Sequence, residues 1–160
     1  MRFCQGDKIV YPLYGAGYIE GLEENEIDGV NETYYVMRIP VTDLTIKFPV
    51  NKAENIGIRE VYHKDKVMDI IISSARVNVN MSENWNQRYK ENLEKIKSGC
   101  LKEVAVVYRN LLKRERAKSL SNAEKKMLTT VKQIIVSEIA LSQNIEKGIA
   151  EDILLSTVMD

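Results

Sequence analysis

The chain contains one tryptophan, Trp85, and close to it in sequence lie Arg88, Lys90, Lys95 and Lys97. A large flat ring that can press against a base, beside cations that can hold phosphate, is what a groove-inserting DNA contact needs. The segment Asn84-Trp85-Asn86-Gln87-Arg88-Tyr89-Lys90 opens a predicted helix, with Ser82 or Asn84 as N-cap, Trp85 in the first turn and Ser98-Gly99 as the stop. A core reading competes, because Trp85, Tyr89, Leu93 and Ile96 are spaced by four, four and three residues. A further row of cations, Lys102, Arg109, Lys113 and Arg116, is by default a solvated helix face.

No comparable grouping points to catalysis. Gly15, Gly17 and Gly21 miss the dinucleotide fingerprint by one position, and no helix follows them. His63 is the only histidine and has no Ser or Cys partner in a recognisable pattern. Glu23 and Glu24 lie in a hairpin with nothing apolar to raise their pKa. Cys4 and Cys100 are far apart and neither belongs to a CxxC, so reduced thiols are expected rather than a disulfide or a zinc site. Tyr11, Tyr14, Tyr18, Tyr34 and Tyr35 could build an aromatic cage for a methylated cation, but packing explains them more cheaply. The expectation is a non-enzyme with no cofactor and no metal.

Composition describes the frame that must position these groups. At 160 residues, 44% of them apolar, the chain can bury one good core or two small ones. No apolar run is long enough to span a bilayer, and Met1-Arg2-Phe3-Cys4-Gln5-Gly6 is no signal peptide, so a cytoplasmic protein with no membrane partner is expected. Net neutrality hides a split: residues 1–62 carry 6 Lys/Arg against 10 Asp/Glu, and residues 63–160 carry 17 against 13. The second part is the one suited to phosphate.

The first part reads as short strands. Lys8 to Tyr11 ends at Pro12, Gly15-Ala16-Gly17 is expected to reverse the chain, and Tyr18 to Leu22 follows. Asp28-Gly29 is a hairpin signal, since both residues tolerate positive φ, and it precedes a strand from Thr33 to Ile39. Leu44 to Phe48 alternates up to Pro49, and Ile56 to Arg59 offers a last strand. Such spacing predicts a small closed or half-closed barrel of the SH3 or Tudor sort.

After Val61 the apolar period lengthens. Lys66 to Ala75 is a predicted short helix, 77–80 a loop, and Leu101, Val104, Ala105, Tyr108, Leu111 and Leu112 one apolar stripe. Ser121-Asn122-Ala123-Glu124 is a capping box that launches a helix with Met127, Leu128, Val131, Ile134, Ile135 and Ile139 on its core side. Ile149, Ile153, Leu154 and Val158 mark a terminal helix. The fold class is therefore α+β: a barrel over residues 1–60 and a compact bundle of four or five helices over 61–160.

Gly6-Asp7-Lys8-Ile9-Val10-Tyr11-Pro12 with Gly15-Ala16-Gly17, Asp43-Leu44-Thr45-Ile46-Lys47-Phe48-Pro49 and Ala53-Glu54-Asn55-Ile56-Gly57-Ile58-Arg59 resemble the CarD/CdnL family of bacterial transcription regulators. So do Asn84-Trp85 with Arg88-Tyr89-Lys90, then Asn92-Leu93-Glu94-Lys95, Ser98-Gly99, Arg109-Asn110-Leu111 and the run from Ser121 to Leu128. The likeness covers nearly the whole chain.

The resemblance implies a Tudor-like domain that docks on the β subunit of RNA polymerase, akin to the polymerase-binding domain of the transcription-repair coupling factor, whose helicase motifs are missing here. It also implies a helical domain that reaches promoter DNA, weakly and without sequence preference, at the upstream edge of the melted bubble. Trp85 matches the family's wedging Trp, and Arg88, Lys90 and Lys125 fall on its basic DNA-facing positions. Lys47 falls on a basic polymerase-contact position, whereas Asn25 stands where other members can have Arg, a departure that bears on the strength of docking. A monomer that reaches the nucleoid through the polymerase and prolongs the open complex is the implied function. The alternative is a polymerase-bound adaptor whose helical half recruits another protein, with Trp85 in its core.

Overall fold

The structure, a computed structural model, describes residues 2–77 and 80–158. Of the loop expected over 77–80, positions 78 and 79 lie outside the described residues. Strands β1 (Lys8–Tyr11), β2 (Gly15–Ile27), β3 (Val30–Ile39), β4 (Leu44–Pro49) and β5 (Arg59–Glu60) form one antiparallel sheet in the order β4-β3-β2-β1-β5. The expected five strands and the α+β class are present, but the sheet stays open. After β4 the chain turns into a 3₁₀ turn and the short helix α1 (Ala53–Ile56), leaving β5 two residues, too few to close a barrel.

Local chemistry explains where strand boundaries differ from expectation. Asp28 and Gly29 take φ of 53° and 78°, the hairpin turn their types favour, and the ladder runs out to Ile27 opposite Val30. The first reversal lies at 12–14 rather than at the glycines, with Leu13 at φ 77°. Gly15 and Gly17 are strand residues required by close approach. A Cβ on Gly15 would stand 2.6 Å from Ser137 Oγ, and one on Gly17 would strike the Arg38 carbonyl oxygen. Ile56 belongs to α1, which Gly57 ends in the left-handed region at φ 89°, so the last strand starts only at Arg59.

Alternation along β3 buries Tyr35, Met37 and Ile39 on one face, where they pack with Phe3, Ile9, Ile19, Phe48 and Ile58. The Tyr35 hydroxyl accepts a hydrogen bond from the Phe3 amide at 2.9 Å, and Tyr11 packs edge-on against Tyr14 and Phe48. Packing, not a cage, occupies these rings.

Among the described residues five helices follow: α2 (Lys64–Ser73), α3 (Trp85–Lys97), α4 (Leu101–Ala117), α5 (Asn122–Gln143) and α6 (Lys147–Val158). A second core gathers Val67 and Ile71 of α2, Ile96 of α3, Val104, Tyr108 and Leu111 of α4, Val131, Ile135 and Ile139 of α5 and Leu154 of α6. Helix α5 is the central element and also meets the start of β2. There the Ala16 amide donates to Ser137 Oγ at 2.8 Å, and the Lys8 ammonium donates to the carbonyl of Leu141 at 2.9 Å and to Asn144 Oδ1 at 2.6 Å. A cation on the last carbonyls of a helix complements its dipole. Among the described residues no helix is long and apolar enough to cross a membrane.

Candidate nucleic-acid interface

Asn84 starts α3 as its sequence type suggests, with Oδ1 accepting from the Gln87 amide at 3.2 Å while Ser82 Oγ accepts from the Asn84 amide at 3.3 Å. The next residue is Trp85, and it is 50% exposed. The face that α3 buries is instead Arg88, Asn92 and Ile96, with Tyr89 and Leu93 partly covered. This rotation takes the ring off the core stripe and leaves it at the helix's leading edge.

Arg88 is where side-chain chemistry and expectation part. Only 2% exposed, its guanidinium donates from Nε and Nη2 to the two carboxylate oxygens of Glu124 at 2.7 and 2.9 Å, and from Nη1 to the carbonyls of Ser82 and Glu83 at 3.0 and 3.3 Å. With all three nitrogens engaged, Arg88 has none to offer a phosphate. The Glu124 hydrogen bonds raise the Arg88 pKa above its ordinary value against the cost of burial, and the same bonds hold the Glu124 carboxyl below the usual glutamate range.

Lys90 and Lys125 are both exposed. Lys90 lines an open groove of about 780 Å³ along α3 together with Gln87, Glu91, Glu94 and Lys95. The two carboxylates offset its field. Lys125 follows Glu124 at the start of α5, with exposed Lys126 beside it, so its charge meets less local opposition. Lys118 Nζ lies 3.8 Å from the Glu83 carboxylate. The second basic row is not uniformly solvated: Arg109 donates to Ser74 Oγ at 2.7 Å and to the Ile71 carbonyl at 3.0 Å, and burial lowers its pKa.

On the sheet, Lys47 and Asn25 share the face opposite the Tyr35–Met37 core. The Lys47 ammonium reaches diagonally over β3 to Glu23 at 2.6 Å, and exposed Asn25 is two residues farther along β2. From Ile9 to Met37 the chain has no Lys or Arg at all.

Residues 3–62 match the CarD-like/TRCF RID domain family, and residues 66–155 match the CarD C-terminal domain. The chain belongs to the CarD family. It is similar to the protein named "Putative transcription factor YdeB" of Bacillus subtilis (strain 168), 36% identical over 149 residues that cover 93% of this chain and 95% of that one. This is a family of transcription factors, not enzymes. Among the described residues no group of three or more His, Cys, Asp or Glu could hold a metal ion.

In this CarD-family chain the carboxylates that organise the site are ones that sequence reasoning missed. Glu23 holds Lys47, Glu124 holds Arg88, and Glu138 on α5 joins sheet to helices by accepting from Arg59 of β5 at 2.8 Å. Only Glu124 had a visible signal, the capping box. Its amide does donate to Ser121 Oγ at 3.2 Å, but its carboxylate serves Arg88 from a segment 36 residues away.

Proposed function

We propose that this chain docks on the RNA polymerase β subunit through the sheet face bearing Asn25 and Lys47, and holds the upstream edge of the promoter bubble open with Trp85. Lys90 and Lys125 supply the phosphate contacts. The observation that carries the reading is the half-exposed indole in the first turn of α3, lifted off the core by the buried Arg88–Asn92–Ile96 face. A Trp that served only the helical core would be covered, which disfavours the adaptor alternative.

Magnitudes define what such a protein can do. A neutral chain with a modest basic face binds duplex DNA at the non-specific level, with Kd on the order of 10⁻⁴ to 10⁻⁶ M. Once docked, its helical half meets nearby DNA at an effective concentration on the order of millimolar, so even a weak site fills. Stacking a ring on a base gives about 1–3 kcal/mol, whereas unstacking a step costs a few kcal/mol. Trp85 therefore holds a fork that the polymerase has already melted. About 1.4 kcal/mol of added open-complex stability shifts its equilibrium tenfold. Promoters limited by melting gain from that, and promoters limited by escape lose.

The test is Trp85→Ala in a reconstituted promoter-melting assay. The open-complex lifetime should shorten by about tenfold, as loss of one stacked ring requires, while polymerase binding stays unchanged. Because the ring is half in water, thermal stability should move little. An unaltered lifetime removes the wedge, and a variant that unfolds restores the adaptor reading.

A further inference from the structure

Arg88 and Glu124 are buried to 2% and 1% exposure, a setting where two apolar side chains of similar volume stabilise a core as well as an ion pair does. What apolar side chains do not supply is direction. The planar Arg88 fork makes four hydrogen bonds to two separate segments. Two of its acceptors, the carbonyls of Ser82 and Glu83, stand directly ahead of the Asn84 cap and of Trp85. The other two belong to Glu124, the residue before Lys125. Glu124 is oriented in turn from its own helix, since Oε1 also accepts from the Ser121 hydroxyl at 3.1 Å.

We infer that Arg88 and Glu124 are the positioning pair of the nucleic-acid face: they aim Trp85 by fastening the segment that enters α3, and they hold Lys125 in register with it. The consequence for DNA rests on the Trp85 reading above; the effect on the ring itself does not. In this assignment Arg88 acts through Trp85 and touches no phosphate.

Trp85 is the only tryptophan, so its fluorescence reports its own mobility without interference. The full-length protein is compared with Arg88→Lys, Glu124→Gln and the double variant Arg88→Met/Glu124→Leu. Three quantities are read: the melting temperature, the anisotropy and acrylamide quenching of Trp85, and the open-complex lifetime with polymerase. The double variant should fold and melt close to the parent while Trp85 anisotropy drops and quenching grows. Its open-complex lifetime should fall by about fivefold, most of what removing the ring costs. Arg88→Lys keeps the charge but not the fork, and should fall between.

A folded double variant with parental Trp85 anisotropy and lifetime overturns the assignment, because the pair is then only part of the core. If the double variant does not fold, Arg88→Lys decides, and parental anisotropy there overturns it equally. The two readings separate cleanly. A mobile Trp85 in the double variant together with an unaltered lifetime in Trp85→Ala leaves the positioning intact and removes the wedge.

Discussion

Glu23 holds Lys47 at 2.6 Å with 40% and 49% of their side chains in water, so the one cation proposed to meet the polymerase is already occupied. An exposed pair of this kind is worth about 0.2–1 kcal/mol. Docking through Lys47 must give up that attraction. Glu23→Gln should therefore tighten polymerase binding by up to about fivefold, and the gain should vanish in the Glu23→Gln/Lys47→Ala double variant. Titration of labelled protein with polymerase core measures both, and equal affinities of Glu23→Gln and parent would remove Lys47 from the contact. Acid should act on the other pair. Because Arg88 hydrogen bonds depress the Glu124 pKa in the folded protein, their stabilisation is complete above the ordinary glutamate range and is lost as pH falls through the lowered folded value. Trp85 anisotropy in the parent should fall over that acid window, and in Glu124→Gln it should already be low at neutral pH. Neither partner of Arg88 nor of Lys47 could be seen in the sequence. Pairing across 36 residues, or diagonally over an intervening strand, leaves no local pattern, and a lone Arg beside a Trp looks the same whether it faces phosphate or a buried carboxylate.

Helix α3 shows how much an element's ends decide. Its cap, first turn and stop were all legible: Asn84 accepts from Gln87, Trp85 begins the helix, and Ser98 with Gly99 at φ 71° ends it. Which side it buries was not legible, since Trp85-Tyr89-Leu93-Ile96 and Arg88-Asn92-Ile96 are both helical stripes; Tyr89 and Leu93 still pack on the core, and the pairing of Arg88 with Glu124 turns the buried face far enough to leave Trp85 half in water. The glycines misled for a related reason. Gly15 and Gly17 look like a turn, yet they are small because α5 and β3 come close, and Leu13 makes the turn. Removing the cap tests the element directly. Asn84→Ala should cost about 1 kcal/mol and loosen the first turn, so the protein melts a few degrees lower and Trp85 becomes more easily quenched. A quenching curve identical to the parent's would mean that Arg88, not the cap, alone holds that turn.

Bridging two partners requires the docking face and the indole to keep a constant separation, and the joint between sheet and helices is built accordingly. Arg59, on the last strand, donates from Nη1 and Nη2 to the two oxygens of Glu138 on α5, each at 2.8 Å, and from Nε to the Gly99 carbonyl at 3.2 Å. Its guanidinium also lies 4.1 Å over the Tyr62 ring. Burial opposes the Arg59 charge, but the hydrogen bonds to Glu138 and the attraction of its negative charge together outweigh it, and the pKa ends above its ordinary value. Glu138 also accepts from the Tyr62 amide at 3.1 Å and is 1% exposed, so truncating Arg59 strands a buried carboxylate. Breaking such a pair from one side costs about 3–5 kcal/mol. The cost falls on the joint, because each half has an apolar core of its own, the helical one also taking in Val41 and Leu13 from the turns of the sheet half. At temperatures where Arg59→Ala stays folded, polymerase binding should survive, since the sheet face is untouched. The open-complex lifetime should nonetheless fall by roughly tenfold, because a tether that no longer fixes direction lowers the effective concentration of Trp85 at the fork. Small-angle scattering of the same variant should show a broader distribution of intramolecular distances. A variant with the parent's scattering curve and a shortened lifetime would place the loss at the DNA face instead, and one with a broadened curve and the parent's lifetime would show that the bridge does not need to be rigid.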